Sequence, residues 1–263
     1  MTDNPRPSNA VTTQSYWENE WENHAVPDPI NPLVTAPENH FFIVLNKIFT
    51  DMFAPTTGGA RTLIEIGCGS SRWLPYFHQQ FGFDVSGIDY TVSGTARARE
   101  ILQRAKVPGD IRHGDLFEPP PDWIEHFDVV VSFGLVEHFS NTSEVVSACA
   151  RYLRPGGYMF SLVPTMRGLY GACYRLLRPE IYKMHIPHTK ASLADAHARA
   201  SLRVTQSEYL LGMPGIISPP SKATFQARVA YGLSRVYWHA ERSGWGVPPN
   251  RLTSPYSYCI ARK

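Results

Sequence analysis

The 263-residue chain has no run approaching about 18 consecutive apolar residues, so no membrane-spanning helix is expected. It lacks the basic-then-apolar opening of a secretory signal; its first residues are polar and carry two prolines. Its four cysteines (Cys68, Cys149, Cys173 and Cys259) are scattered, with no Cys-x-x-Cys pair. That spacing disfavours structural zinc and predicts reduced thiols in a cytoplasmic setting. Excess charge of one sign is missing too. A formal net charge of +2 implies no strong attraction to nucleic acid or to an anionic membrane surface. No internal repeat is visible. The hydrophobic share of 43% and charged share of 18% suit a globular protein. The length suits one α/β domain with additions.

What the chain does have is centred on residues 61–75, RTLIEIGCGSSRWLP. Leu63, Ile64 and Ile66 lead into Gly67-Cys68-Gly69, and Ser70-Ser71 follow. This reads as a buried parallel strand, a tight glycine turn and a helix start. Gly67 and Gly69 let a ligand approach the backbone closely, and Ser70 or Ser71 can cap the helix. Residues 83–89, FDVSGID, form a second short strand ending in Asp89, 22 positions after Gly67. Doubly wound folds place an acid at about that distance, where it can hydrogen-bond ribose hydroxyls. Asp115 follows in HGDLFEPP, then FDVVVSFGLVEHF at 127–139 and LRPGGYMFSLVP at 153–164.

With these five motifs in order, residues 61–164 resemble the class I S-adenosylmethionine-dependent methyltransferases. A nicotinamide-binding fingerprint would need a third glycine where Arg72 stands, so a dehydrogenase is disfavoured. The resemblance implies an α/β fold: a doubly wound, seven-stranded, mostly parallel sheet with helices on both faces. Strands at 202–210 and 256–261 should pair, one of them antiparallel at the sheet edge. Residues 1–60 would be an N-terminal helical lid and linker. Residues 61–263 would be the Rossmann-like domain, with cap insertions near 165–190 and 211–253.

Within the first unit, Trp17 and Trp21 are four apart, on one face if the segment is helical. They are read either as core packing or as a lid over the cofactor. Residues 26–37 carry four prolines and should be an extended linker, and 40–53 should be a buried helix closed by a break at 55–59. Past Pro164 the pattern loosens. Residues 165–190 hold aromatics, His185, His188 and five basic residues against Glu180 alone. Residues 191–200 and 221–242 should be helical.

The resemblance places S-adenosyl-L-methionine against Glu65, Gly67, Cys68, Gly69, Asp89, Tyr90, Asp115 and Leu116, with Trp17 above. Glu65 would lie under the methionine moiety, linked to its ammonium through backbone or water; otherwise it is a buried acid paired with Arg61 or Arg72. Asp89 would hold the ribose, Asp115 the adenine amino group, with Leu116 over the ring and Tyr90 beside it. Glu137-His138 resembles an acid–histidine pair found after this strand in methyltransferases of small molecules. His138 is the candidate base and His185 the second; each is alternatively a structural histidine. Phe133, Glu137, Tyr170, Tyr182 and His188 are the candidate acceptor-pocket residues. Metal ligation by His185 and His188 is disfavoured because no acid cluster completes their site, and no metal is expected. The strand end reads SFGL, not the NPPY type of base-methylating enzymes, nor does it carry the acid of metal-dependent catechol-type enzymes. The favoured reading is a metal-independent transferase acting on a small-molecule acceptor by in-line displacement in a closed pocket, with no nucleic-acid or membrane partner. An RNA or protein methyltransferase, and a non-catalytic cofactor-binding subunit, remain the alternatives.

Overall fold

The structure, a computed structural model, describes residues 10–23, 25–54, 61–213 and 225–263. Strands β1 (Arg61–Ile66), β2 (Phe83–Asp89), β3 (Gly109–His113), β4 (Phe127–Phe133), β5 (Leu153–Pro164), β6 (Arg203–Leu210) and β7 (Tyr256–Arg262) form one sheet. Their order across it is β3-β2-β1-β4-β5-β7-β6. The neighbours from β3 to β5 pair in parallel, and β7 runs antiparallel to both β5 and β6. The antiparallel strand is therefore not at the edge, as the sequence suggested, but one place inside it. Burial explains the swap. β7 is buried along nearly its whole length, whereas β6 exposes Arg203, Thr205, Gln206 and Glu208. Polar, half-exposed strands suit sheet edges.

Side-chain alternation along the strands builds two cores. Leu63, Val129, Val131 and Phe160 face one side, under α2 (His40–Phe53), α3 (Trp73–Phe81) and α4 (Val92–Ala105). Ile64, Val130 and Met159 face the other, under α5 (Thr142–Ala150) and α8 (Lys190–Arg199). α2 is part of the first core: the Phe49 ring meets Phe160 at 4.8 Å and Phe77 at 5.0 Å edge-to-face. The other helix of the N-terminal unit, α1 (Gln14–Asn23), buries no residue in the core and lies instead along α4.

Two short helices, α6 (Gly168–Leu177) and α7 (Pro179–Lys183), form in the segment whose pattern looked loose. Gly171 lets α6 press on the turn before it, where an added Cβ would meet the Met166 carbonyl oxygen at 2.0 Å. The last helix, α9, is described from Phe225 to Arg242; the start of its expected span and the break at 55–59 lie outside the described residues.

Candidate active site

The carboxyl ends of the parallel strands β1, β2 and β4 open onto one cavity of about 230 Å³. β1 delivers Glu65 to it and then turns at Gly67, whose φ of 75° is in the left-handed region. Gly67 N–H donates to the Ile88 carbonyl at 2.8 Å, which fastens the turn to β2. Gly69 N–H donates to Asp89 at 2.8 Å. A Cβ on Gly69 would sit 2.5 Å from the Trp21 indole nitrogen and 2.9 Å from the Asp89 carboxylate, so only glycine fits there without displacement.

Asp89 also accepts from Thr91, at 2.8 Å from its N–H and 2.5 Å from its hydroxyl. A carboxylate offers about four acceptor positions, so about one remains toward the cavity. Burial raises the Asp89 pKa despite these donors. Glu65 is equally buried and accepts from the Ser71 hydroxyl, whose oxygen in turn accepts from Trp73 N–H at 3.0 Å. Burial pushes Glu65 up to about 8. Among the described residues no basic side chain pairs with either acid, and neither Arg61 nor Arg72 reaches Glu65. Two buried carboxylates facing one cavity are an electrostatic vacancy for a cation.

A smaller recess continues from this cavity, lined by Asp115, Leu116 and Phe117 and sharing Gly67, Asp89 and Tyr90 with it. Asp115 accepts from Phe117 N–H at 2.9 Å, which turns the chain and leaves Leu116 at the recess wall. Cys68 does not join this site. Its thiol points into the core, where a Cβ on Gly87 would meet it at 2.6 Å. The buried strand side of the turn takes the apolar thiol, and only the backbone of residue 68 faces the turn.

α1 roofs the cavity. Trp17 and Trp21 both line it and stack at 5.5 Å with 25° between their planes. The helix is held by polar contacts to the start of α4. Glu18 accepts from the N–H groups of Val92 and Ser93 at 2.8 and 2.9 Å, and Gln14 donates to the Tyr90 carbonyl at 2.7 Å.

Beyond the end of β4 lies a second cavity of about 370 Å³. Phe133 and Trp17 line both cavities, and Phe133 stacks on Trp73 at 4.4 Å. Gly134, with φ of 67°, starts a turn that places Glu137 and His138 at the cavity wall. α6 and α7 supply the opposite wall with Tyr170, Tyr174 and Ile181, and the turn after α7 adds His185. His138 Nδ1 contacts the Met184 carbonyl at 2.6 Å, and His185 Nδ1 the Ile181 carbonyl at 2.7 Å. A carbonyl can only accept, so both Nδ1 atoms carry the proton and, in the neutral rings, both Nε2 atoms are the unprotonated nitrogens; the Gly134 carbonyl also lies against the His138 ring. Burial pushes His138 down to about 4 and also lowers His185. Glu137 is 1% exposed, neither of its oxygens has a hydrogen-bond partner, and burial pushes it up to about 8.

Two candidates fall elsewhere. His188 is buried against Thr142 at 3.1 Å and Ser192 at 3.3 Å, joining α5 to α8. It belongs to packing, not to the acceptor cavity. Tyr182 faces another pocket, beside Arg167, Arg175 and Arg251, because α7 turns it away from His185. The sequence reading missed Leu135, Phe139 and Trp73 in the first cavity and Phe41 and Tyr256 in the second. Leu135 and Phe139 were findable, as they flank the Glu137-His138 pair.

Residues 64–161 match the methyltransferase domain family. The chain carries a class I S-adenosylmethionine-dependent methyltransferase domain. A probable S-adenosylmethionine-dependent methyltransferase of Mycolicibacterium smegmatis is 34% identical over 130 residues, 49% of this chain and 47% of that protein. A ubiquinone biosynthesis O-methyltransferase of Bradyrhizobium is 31% identical over 97 residues, 37% of each chain. The matched part thus spans about half or less of these curated relatives. The crystal structure of a SAM-dependent methyltransferase from Archaeoglobus fulgidus aligns with a TM-score of 0.53 at 18% identity, over 83% of this chain and 93% of that one. That likeness supports the fold. The matched residues end within β5, so α6, α7, His185 and the second cavity's outer wall lie beyond them.

Proposed function

We propose that the protein transfers the methyl group of S-adenosyl-L-methionine to a small-molecule acceptor by in-line displacement between the two cavities. The observation that carries this is the pair of buried, cation-free carboxylates, Glu65 and Asp89, around a glycine turn that tolerates no Cβ. The cofactor is a cation and needs no phosphate site, so it fits that vacancy where a dinucleotide does not. When bound, it supplies an electrophilic methyl carbon on sulfur.

The chain's own residues do the rest. Glu65 takes the ammonium, Asp89 the ribose, and Asp115 the adenine amino group, with Tyr90 and Leu116 flanking the ring. Gly67 and Gly69 let the backbone close on the ligand. Trp17 and Phe133, which belong to both cavities, set the passage across which acceptor and methyl group meet. Phe133, Tyr170 and Glu137 frame the acceptor, and holding two reactants in line is worth about 7–11 kcal/mol in well-oriented systems. His138, its Nδ1 proton held by the Met184 carbonyl, takes the proton that an acceptor hydroxyl loses as its oxygen–carbon bond forms and the carbon–sulfur bond breaks. His185 stands next to it, ring centroids 4.7 Å apart.

The aromatic lining of the second cavity, with few polar groups converging on it, supports a small molecule over an RNA or protein substrate. The test is calorimetric binding of S-adenosylmethionine, followed by labelled-methyl transfer to a panel of small hydroxylated compounds. Asp89→Ala should weaken cofactor binding by about 1.5–3 kcal/mol through loss of charge-assisted contacts. A folded protein that does not bind the cofactor, or a variant that binds it unchanged, sinks this assignment.

A further inference from the structure

Glu137, His138 and His185 each present one ligand-type atom, and the three atoms lie within 4.8 Å of one another. We propose that these three residues bind a first-row divalent transition-metal ion, zinc or iron(II) in character. The sequence did not suggest this, because it paired His185 with His188 and found no acid. The fold separates those two histidines and brings Glu137 to His185 instead.

Three observations support a cation here. First, all three facing atoms are acceptors. Both imidazoles have given their Nδ1 protons to backbone carbonyls, at 2.6 Å to Met184 and 2.7 Å to Ile181. Metal-bound histidines are commonly held in this way, the second nitrogen fixed by an oxygen acceptor so that the first points its lone pair at the ion. Second, the Glu137 carboxylate is 1% exposed and neither oxygen meets a donor. A buried carboxylate without a partner is costly, and no basic side chain pairs with it among the described residues. Third, the spacing is close to that of a ligand set. His138 Nε2 and Glu137 Oε1 are 4.0 Å apart. Two ligands about 2.1 Å from a tetrahedral ion are about 3.4 Å apart, so a contraction of about 0.6 Å closes that pair, and the widest separation, up to 4.8 Å, needs up to about 1.4 Å.

The donor chemistry selects the ion. Two imidazoles and one carboxylate suit zinc, iron(II), manganese or cobalt; magnesium and calcium prefer all-oxygen sets. Three protein ligands leave positions open, and the 370 Å³ cavity adjoins all three residues. The inference rests on the proposed function only for what the ion then does. An acceptor oxygen bound to it would lose its proton to solvent more readily, and His138 would then be a ligand, its role as base belonging to the metal-free site.

The full chain, stripped with a chelator, is titrated with Zn²⁺ alone in competition with a chromogenic chelator, and with Co²⁺ by visible absorption. One equivalent should bind, and the Co²⁺ bands should be the intense ones of four- or five-coordination. Glu137→Gln and His185→Ala should each weaken binding by about 100-fold or more, with His126→Ala, an exposed histidine, unchanged. S-adenosylmethionine affinity is measured on the same samples and should be retained in Glu137→Gln and His185→Ala. Weak, multi-site binding unaffected by these substitutions overturns the inference, and so does a Co²⁺ spectrum of the six-coordinate aqua type. A proton shared among the three groups would then be the occupant. Metal binding without cofactor binding would instead sink the proposed function and leave the metal site standing. Should Glu137→Gln fail to fold, His185→Ala and the wild-type Co²⁺ spectrum decide.

Discussion

Glu65 makes a quantitative prediction about cofactor binding. Burial without a cation pushes this carboxyl up to about 8, the Ser71 hydroxyl only partly offsetting it and the nearby Asp89 charge adding to it. At pH of about 6.5 the empty site then holds Glu65 about 97% protonated. An ammonium at about 4 Å, with an effective dielectric constant of about 20, favours the carboxylate by about 4 kcal/mol. That is about three pKa units and brings Glu65 to about 5, where about 3% stays protonated. Binding should therefore release about 0.9 proton at this pH, below the titration of an ordinary α-amino group at about 7.7–8.0. The release is read from binding enthalpies in buffers of different ionisation enthalpy. Glu65→Gln should reduce it to near zero and weaken affinity. The same group predicts the pH dependence of the empty fold. Its folded pKa lies above the unfolded 4.5, so its contribution to stability is full below about 4.5 and is lost as pH rises toward about 8, at up to about 1.4 kcal/mol per pH unit. Glu65→Gln should remove that part of the slope. Cofactor binding with no proton release in the wild type would show that Glu65 does not face the ammonium.

Other expectations are simpler. Phe49→Ala should cost about 3–5 kcal/mol in denaturant unfolding, because Phe49 is fully buried and touches rings from α3, β4 and β5. A near-zero cost would show that α2 is an appendage and not core. Gly69→Ala should leave the fold intact but push Trp21 aside, changing its fluorescence and raising the cofactor off-rate about tenfold, about 1.4 kcal/mol. Glu18→Ala frees α1 from α4, with an expected rise in off-rate of about fivefold, about 1 kcal/mol, and little change in unfolding of the sheet. Unchanged cofactor kinetics in that variant would make α1 a passive cover.

The parallel half of the fold was readable because its signals are local. Three apolar runs, each followed by a turn residue, place β1, β2 and β4, and the first two also place Glu65 and Asp89. β7 was harder. Its residues show only that it is a strand; its place between β5 and β6 depends on how a polar β6 and an apolar β7 compete for the buried position, a non-local comparison. α6 and α7 were obscured by Gly168, Gly171 and Pro179, which read as breakers yet here begin or tighten short helices.

The proposed cofactor side followed the same logic: Asp89 ends β2, and Glu65 and Asp115 lie within two residues of a strand end, so strand order alone brings them together. Cys68 failed because neighbours on a turn point to opposite sides. The acceptor side could not be read that way. Glu137 and His185 are 48 positions apart, on segments brought together by the bond from Ile186 N–H to the Glu137 carbonyl at 2.7 Å. Spacing favoured His185 with His188, three residues away, but a proline between them carries His188 into the seam of α5 and α8. What identifies the Glu137–His138–His185 group is a property sequence does not carry: which imidazole nitrogen is already engaged. Two backbone carbonyls, of Met184 and Ile181, turn both lone pairs toward the same buried carboxylate, and the chemistry of that cavity depends on what fills the space among them.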